Sequence, residues 1–400
     1  MLDRIRKVPR TVWTLGFVSM FMDISSEMIH SLLPVFLVAG LGASPALVGL
    51  IEGIAEATAS ITKVFSGWLS DRLGRRKLLA VLGYGLGAIT KPVFPLAVTP
   101  FEVLGARFAD RVGKGIRGAP RDALVADVTP DELRGAAYGL RQSLDTVGAF
   151  VGPLVAVGLM ALLDDDMRAV FGFAVIPGAL AVLLLMLGVE DPPASRAPHA
   201  AKAPISWAEV GAIGMPFWLA VAVGVMFTMA RFSEAFLVLR GGDAGIPLTL
   251  IPFVLIAMNV VYSLVSAPVG SLSDTLGRKP LLACGIVALI LADLVLALVG
   301  SIAGVMLGVA LWGLHLGLTQ GLLAALVADT APVRLRGTAF GLFNLATGVT
   351  MLAASVLAGA LWSARGAPLT FLTGGGFALI ALVGVLALLK EKPAEAEAPA

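Results

Sequence analysis

Charged residues and cysteine are scarce in this 400-residue chain, and each shortage excludes a class of protein. Charged residues make up 14% of the sequence, whereas ordinary soluble domains contain about 25%. The net charge of +2 is too small for a protein that binds nucleic acid by neutralising phosphates. The single cysteine, Cys284, excludes an intramolecular disulfide and a cysteine-rich metal cluster.

Apolar residues dominate instead, at 58% of the sequence with a mean hydropathy of +0.92. A transmembrane helix needs about 20 mostly apolar residues. The sequence has twelve such stretches and therefore predicts an all-α membrane protein with twelve transmembrane helices. In chain order, the predicted helices are 11–39, 46–70, 78–97, 100–127, 136–163, 169–189, 213–239, 247–272, 280–300, 302–329, 337–363 and 368–389.

Basic residues in the loops predict the orientation of these helices. Seventeen lysines and arginines fall on the side that holds both termini, against three on the other side. Because basic loops stay in the cytoplasm, we expect both termini to be cytoplasmic and the chain to be a multi-pass protein of the plasma membrane, such as a bacterial inner membrane. The longest loop is rich in proline and alanine and predicts a flexible linker. The predicted organisation is a six-helix bundle (1–190), a linker (191–211), a second bundle (212–390) and a tail (391–400).

Two segments recur at nearly the same offset. GWLSDRLGRRK at 67–77 is repeated as GSLSDTLGRK at 270–279, 203 residues later. VADVTPDELRGAAYGL at 125–140 is repeated as VADTAPVRLRGTAFGL at 327–342, 202 residues later. The repeats indicate two pseudo-symmetric halves that run in parallel, an arrangement that can open a central cavity alternately to either side of the membrane.

These motifs resemble those of the major facilitator superfamily, and the resemblance covers essentially the whole chain. RVGKG, with Arg111 and Gly115, resembles its helix 4 motif. GAFVGP resembles the helix 5 motif of proton-driven exporters through Gly148, Gly152 and Pro153. The loop motif between helices 2 and 3 matches Gly67, Asp71, Arg72, Gly74, Arg75 and Arg76, and its second copy matches Gly270, Asp274, Gly277 and Arg278 but has Thr275 after the aspartate.

The resemblance implies that the loop motif acts as a conformational latch on the cytoplasmic side, by contacting helices 4 and 11. Asp127, at the cytoplasmic end of predicted helix 4, is the expected acidic partner. The alternative is that these charges are solvated and only fix the topology. The residues assigned to the latch are Gly67, Asp71, Arg72, Gly74, Arg75, Asp127, Asp274 and Arg278. Gly148, Gly152 and Pro153 are assigned to helix packing, since glycines allow close approach of another helix.

Ionisable residues inside the predicted helices are the strongest functional signal. A charge at the centre of a membrane helix costs about 2.5–3.5 kcal/mol, so such residues usually face the interior and mark a pathway. Asp23, Glu27 and His30 share one face of predicted helix 1. Glu52, Glu56 and Lys63 share a face of helix 2, Arg141 and Asp145 share a face of helix 5, and a mainly basic stripe on helix 4 comprises Arg107, Asp110, Arg111, Lys114, Arg117 and Arg121.

The second half lacks these charges at the corresponding positions. Arg141 corresponds to Phe343, and Glu56 corresponds to Asn259. The scaffold therefore does not require them, which favours a role in coupling or substrate binding. The alternative is a structural network of ion pairs, because basic and acidic residues are nearly balanced within the predicted helices of the first half.

The leading hypothesis is a secondary active transporter that couples protons to the export of a small organic solute. An apolar cavity favours the protonated carboxyl group and a nearby arginine favours the carboxylate, so alternation between the two moves a proton. The expected proton-coupling residues are Asp23, Glu27, Glu56 and Asp145. The expected substrate-binding residues are His30, Arg111, Lys114, Arg141, Asn259, Trp312, Phe343 and Asn344.

Three alternatives remain open. The basic stripe also suits proton-coupled uptake of an anionic metabolite. Asp23, Glu27 and His30 could bind a divalent metal as cargo, although one helix face supplies few ligands. A non-transporting membrane receptor or a membrane enzyme is the third, but the sequence has no HExxH, GxSxG or phosphate-binding loop. We therefore expect no enzymatic activity, no cofactor and no resident metal, and we expect the protein to work as a monomer in the bilayer.

Overall fold

The computed structural model describes residues 7–73, 75–190, 210, 213–276, 278–332 and 335–388. This part of the chain is helical and contains no β-strand. Twelve long helices, numbered in chain order, account for most of it. They are α1 (Arg10–His30), α2 (Pro45–Leu73), α3 (Arg76–Thr90), α4 (Pro100–Val128), α5 (Arg134–Leu162), α6 (Met167–Gly188), α7 (Met215–Ala230), α8 (Phe253–Leu276), α9 (Arg278–Leu298), α10 (Ile302–Thr330), α11 (Arg336–Arg365) and α12 (Ala367–Leu388).

Ten helical segments in the described part are long and apolar enough to cross a membrane. They comprise every long helix except α2 and α4. These two carry more than half of the charged residues in the six long helices of the first half, so their lower hydropathy comes from the side chains that form the site described below. The protein is therefore an all-helical, multi-pass membrane protein.

Helical structure is interrupted within several predicted helices, including 78–97, where α3 ends at Thr90 and a short helix follows at Val93–Leu96. α1 ends at His30, and the chain then forms the short helix Leu33–Val35 and the π-helical turn Phe36–Gly40. α7 ends at Ala230 and helical structure resumes at Ala235–Asp243. The predicted spans 11–39 and 213–239 agree with the apolar segments Arg10–Gly40 and Met215–Asp243. Hydropathy does not report the breaks within them, because apolar residues continue across both interruptions.

The α4 helix begins with a capping box and remains continuous past a proline. The Thr99 hydroxyl accepts a hydrogen bond from the backbone N–H of Glu102, and the Glu102 carboxylate accepts one from the backbone N–H of Thr99. This cap satisfies donors that the first turn cannot pair internally. Pro120 lies inside the helix, which continues to Val128. All six charged residues of the stripe therefore lie on one helix.

The chain divides into two compact units. The first contains α1, α3 to α6, α2 from Ile51 onward, and Pro247–Phe253. The second contains α7, α9 to α12, most of α8, and Ser44–Leu50. Of the predicted linker 191–211, only Val210 is described, and the tail 391–400 lies outside the described residues. The predicted bundle boundaries therefore stay a prediction.

Each unit has its own apolar core. In the first unit, Leu15, Val18 and Met22 of α1 pack with Leu124 of α4 and Leu185 of α6. In the second unit, the cluster includes Phe217 and Val221 of α7, Val327 of α10, and Ala339 and Leu342 of α11. In both cores, the first helix of the unit packs against later helices of the same unit.

Candidate functional site

The two glycines of the α5 motif face the acidic residues of α1. A Cβ atom placed on Gly148 would lie 3.0 Å from the Cβ of Asp23, and one placed on Gly152 would lie 2.8 Å from the Cβ of Glu27. The Cβ on Gly148 would also lie 2.6 Å from the carbonyl oxygen of Met20. Contacts below 3.0 Å at both positions leave no room for a side chain, so glycine permits this approach of α5 to α1. The sequence predicted close packing beside these glycines, and the structure identifies α1 as the partner helix.

A chain of polar contacts runs from α1 to α4 through α2. His30 Nδ1 lies 3.4 Å from Glu27 Oε2, and its Nε2 lies 3.7 Å from Glu52 Oε2. Arg107 donates two hydrogen bonds to Glu52, from Nη2 at 2.7 Å and from Nε at 3.2 Å. The Glu27 side chain is 24% exposed, whereas that of Glu52 is 1% exposed. The chain, called here the Glu27–Arg107 chain, thus connects an accessible carboxylate with a buried one.

The partner of Glu27 differs from the one expected from helical spacing. Asp23 and Glu27 lie one turn apart on α1, and the sequence analysis selected both as proton-coupling residues. The ion-pair partner recorded for the Glu27 carboxylate is His30, three residues later. Asp23 is half-buried beside Gly148. Asp23 and Glu27 therefore occupy different surroundings along α1.

A second contact between α2 and α4 lies one turn beyond the first. Arg111 Nη1 lies 3.3 Å from Glu56 Oε1. Arg111 is buried, whereas the Glu56 side chain is 38% exposed. Glu52 and Glu56 are four residues apart on α2, as are Arg107 and Arg111 on α4, so the two ion pairs form successive steps between the same helices.

The other residues of the α4 stripe point in different directions. Asp110 accepts a hydrogen bond of 2.9 Å from Lys91 Nζ, which also donates to the hydroxyl of Ser26 at 3.0 Å. Lys91 and Asp110 are both buried. Lys114 is exposed. The guanidinium of Arg117 lies 4.8 Å from the centre of the Tyr84 ring. The stripe therefore contains both paired and solvent-accessible charges.

Four residues near the start of α5 and the end of α4 form the Asp145 cluster, defined as Arg121, Asp122, Arg141 and Asp145. Arg141 Nη1 donates to Asp145 Oδ2 at 2.7 Å and lies 3.7 Å from Asp122 Oδ1. Arg121 Nη1 lies 3.8 Å from Asp145 Oδ2, and its Nε lies 3.2 Å from Asp122 Oδ1. The expected contact between Arg141 and Asp145 is present, and each member has a further partner.

The predicted substrate residues of the second half lie in the second unit. Asn259, Phe343 and Asn344 are half-buried. Phe343 packs against α7 at Gly224. Trp312 is fully buried, with its ring centre 5.5 Å from that of Phe232. Their assignment to a substrate site stays a prediction.

The residues of the loop motif form ion pairs within each unit. Arg76 pairs with Asp127 and also donates to the carbonyl oxygen of Ala123 at 3.0 Å. Arg278 pairs with Asp329. The offset of 202 residues between the repeats relates Asp127 to Asp329, so the repeat could have identified Asp329, which the sequence analysis missed.

The remaining latch residues are described only in part. Gly67 faces α4, where a Cβ atom would lie 3.5 Å from the Cβ of Ala119. Arg72 and Arg75 are exposed. Gly74 and the side chains of Asp71 and Asp274 lie outside the described part of the structure. The latch assignment therefore stays a prediction.

Sequence reasoning placed Glu52 and Arg107 on the correct helix faces but gave them no role. The signal available was their spacing, because each lies one turn before a residue that was selected, Glu56 or Arg111. The pair is separated by 55 residues along the chain. The contact therefore depends on the packing of α2 against α4.

Comparison with known proteins agrees with this architecture. The family model of the Major Facilitator Superfamily matches residues 15–258 and 234–400. An uncharacterized MFS-type transporter of Methanocaldococcus jannaschii is 32% identical over 383 residues, which cover 94% of each chain. The quinolone resistance protein NorA of Staphylococcus aureus is 26% identical over 188 residues, or 46% of each chain.

Solved structures with the same fold include two kinds of transporter. The nucleoside transporter NupG matches with a TM-score of 0.78 at 14% identity, over 95% of this chain and 100% of that one. A POT family transporter in complex with 5-aminolevulinic acid matches with a TM-score of 0.79 at 14% identity, over 96% of this chain and 98% of that one. At such identity these matches establish the fold alone. The family model and the relative from Methanocaldococcus jannaschii show that this chain belongs to the Major Facilitator Superfamily of membrane transporters.

Proposed function

We propose that this protein is a secondary active transporter that exports a small organic solute in exchange for protons, by alternating access. The observation that carries the proposal is the Glu27–Arg107 chain. A histidine placed between two carboxylates can exchange a proton with either, because imidazole is the side chain whose charge changes most readily near neutral pH. The accessible end at Glu27 gives this series of contacts access to water, and Arg107 holds the buried end at Glu52 in an ion pair.

The surroundings of the chain support a coupling role. Because α5 approaches Glu27 closely at Gly152, a movement of α5 would act directly on Glu27. Asp23 lies beside Gly148 in the same interface. A change in the packing of α1 and α5 during the transport cycle would therefore alter the exposure of both carboxyl groups. Glu56 and Asp145, each held by an arginine, are the further proton-coupling candidates.

The substrate site in this proposal involves the accessible basic groups of the first half. Lys114 is exposed, and His30 is half-buried at the chain. Arg111 and Arg141 are buried against carboxylates, so they would bind an anionic group only by exchanging partners. Asn259, Trp312, Phe343 and Asn344 are the candidates from the second half. We further propose cytoplasmic termini, a monomeric protein and a location in a bacterial inner membrane.

Export is favoured over import by two similarities. The α5 motif from Gly148 to Pro153 resembles that of proton-driven exporters, and NorA, a resistance protein, shares 26% identity over 46% of the chain. The second candidate function is proton-coupled uptake of an anionic metabolite, which the basic groups of α4 favour. The two differ in the direction of proton movement, because export moves solute and protons in opposite directions and uptake moves them together.

Proteoliposomes with an internal pH-sensitive dye can test both functions. The probes are a quinolone, a nucleoside and 5-aminolevulinic acid, which are the compounds named for the relatives. We expect one probe to move protons across the membrane only when the protein is present. Proton movement opposite to the probe supports export, and movement with the probe overturns export in favour of uptake. Transport of a probe without any proton movement overturns proton coupling.

The Glu27→Gln variant tests the coupling site. We expect it to lose accumulation of the probe under a pH gradient by at least about tenfold while retaining exchange of probe for probe, because that half-cycle requires no proton release. Glu132→Gln is the matched control, since Glu132 is exposed and does not belong to the Glu27–Arg107 chain. If Glu27→Gln accumulates the probe as the parent does, Glu27 is not the coupling residue.

A further inference from the structure

An acidic residue on α9 lies buried without a partner in the second unit. Asp293 is 0% exposed, and neither of its carboxylate oxygens has a hydrogen-bond partner among the residues that the structure describes. It also belongs to no ion pair within the same residues. The carboxylates proposed for coupling all lie in the first unit, so Asp293 requires a separate explanation.

The side chain of Asp293 and the carbonyl oxygen at the end of α7 both lie beside Gly374 of α12. A Cβ atom placed on Gly374 of α12 would lie 2.9 Å from Asp293 Oδ2 and 3.3 Å from the carbonyl oxygen of Ala230. Ala230 is the last residue of α7, so its carbonyl oxygen has no partner within that helix. The same position lies 3.0 Å from Cε1 of Phe232. Two oxygens and an aromatic carbon thus border the space beside Gly374, which a side chain at this position would fill.

The ionisable groups of the neighbouring elements leave Asp293 unneutralised. α12, which packs against α9, has no ionisable side chain between Ala367 and Leu388. α10 carries two ionisable residues, Asp329, which pairs with Arg278, and His315, whose Nδ1 lies 2.9 Å from the carbonyl oxygen of Gly285. A carbonyl only accepts, so Nδ1 carries the hydrogen of this imidazole. Its Nε2 has no partner among the described residues, which is consistent with a neutral ring.

The break after α7 supplies the remaining charges. Arg231 and Glu234 lie in the break itself, each with contacts of its own. Arg240, in the helix that follows, donates to the carbonyl oxygens of Leu296 at 2.8 Å and Val299 at 3.2 Å. Arg240 therefore neutralises the end of α9 rather than the side chain of Asp293.

We propose that Asp293 is a proton-binding site of the second unit, whose bound proton holds α9 against the end of α7. An unpaired carboxylate in an apolar interior is strongly disfavoured, and a carboxylate facing the negative end of a helix is disfavoured further. A protonated carboxyl group can instead donate a hydrogen bond to the carbonyl oxygen of Ala230. Loss of the proton places two acceptors opposite each other and loosens the contact between α7, α9 and α12. This site does not depend on the proposed transport function.

Infrared spectroscopy of the purified full-length protein in lipid tests the site directly. A protonated carboxyl group has a C=O stretching band separate from that of a carboxylate. We expect the parent to show this band at pH 7 and to lose it reversibly at alkaline pH. Asp293→Asn should remove the part of this band whose disappearance at alkaline pH accompanies the loss of thermal stability. The absence of any protonated carboxyl band in the parent, or its full retention in Asp293→Asn, overturns the proposal.

Gly374→Ala keeps the test informative if Asp293→Asn does not fold. The added methyl group must displace the Asp293 carboxyl or the Ala230 carbonyl, so we expect a shifted infrared band and a lower melting temperature. Gly376→Ala is the control, because a Cβ atom there meets nothing within 4 Å. An unchanged band in Gly374→Ala contradicts the geometry.

A comparison of salts tests whether the site binds a proton or a metal ion. The melting temperature of the parent at alkaline pH should be the same in sodium chloride and in potassium chloride. Selective stabilisation of the parent by sodium would mean that a metal ion, not a proton, occupies the site.

Discussion

Gly152 of α5 lies directly against Glu27 of α1, at a distance that leaves no room for a methyl group. The interface between these helices therefore contains both the motif glycines and the accessible end of the Glu27–Arg107 chain. A helix-packing motif and a candidate coupling residue are in this way parts of one structure. Any substitution that separates α1 from α5 should alter both stability and coupling.

Substitution of Gly152 by alanine tests this relationship. The new Cβ would lie 2.8 Å from the Cβ of Glu27 and 2.9 Å from the carbonyl oxygen of Ile24, so the helices must move apart. We expect a loss of about 1–3 kcal/mol in unfolding free energy, as is typical of overpacking. Gly158→Ala, in the same helix, meets nothing within 4 Å and should be neutral or stabilising. Thermal denaturation measures both variants, and equal melting temperatures would contradict the close contact.

Arg141 and Asp145 should show energetic coupling in a double-mutant cycle. Arg141→Ala leaves Asp145 facing Arg121 alone, and Asp145→Ala leaves Arg141 facing Asp122. We expect the double variant to recover about 0.5–3 kcal/mol relative to the sum of the single losses, because neither charge is then left without its main partner. The cycle is measured by chemical denaturation in detergent. Ser143→Ala, exposed in the same turn, is the control. If the two losses simply add, Arg141 and Asp145 are each stabilised by other members of the Asp145 cluster and not by one another.

The two repeat-related ion pairs should differ in strength. The side chains of Arg76 and Asp127 are 13% and 18% exposed, whereas those of Arg278 and Asp329 are 34% and 33% exposed. Solvent screens the second pair more strongly, so Asp329→Asn should cost no more than about 1 kcal/mol. Asp127→Asn should cost more. Melting temperatures of the two variants measure this difference, and each variant is a matched control for the other. A larger loss in Asp329→Asn would show that the pair of Arg278 with Asp329 is the stronger one.

Local spacing predicted some contacts of the site and could not predict others. Arg141 and Asp145 are four residues apart on a helix, so helical geometry alone brings them together. The contact of His30 with Glu27 follows equally from a spacing of three. The ion pair of Arg107 with Glu52 joins α4 to α2, and nothing in the spacing of either helix selects that partner over Glu56. The choice depends on how the two helices are rotated and shifted against each other.

The sequence by itself determined the membrane environment, the twelve helical segments, the internal repeat and the helix faces that carry charge, because these properties depend on hydropathy and on periodicity along a single helix. The tertiary structure decided what those faces meet. It placed α1 against the glycines of α5, and it ended α7 at Ala230, whose carbonyl oxygen lies beside Gly374 together with the buried carboxyl group of Asp293. Contacts between distant segments are set by the joint packing of several helices, and that packing is not encoded in the pattern of any one of them.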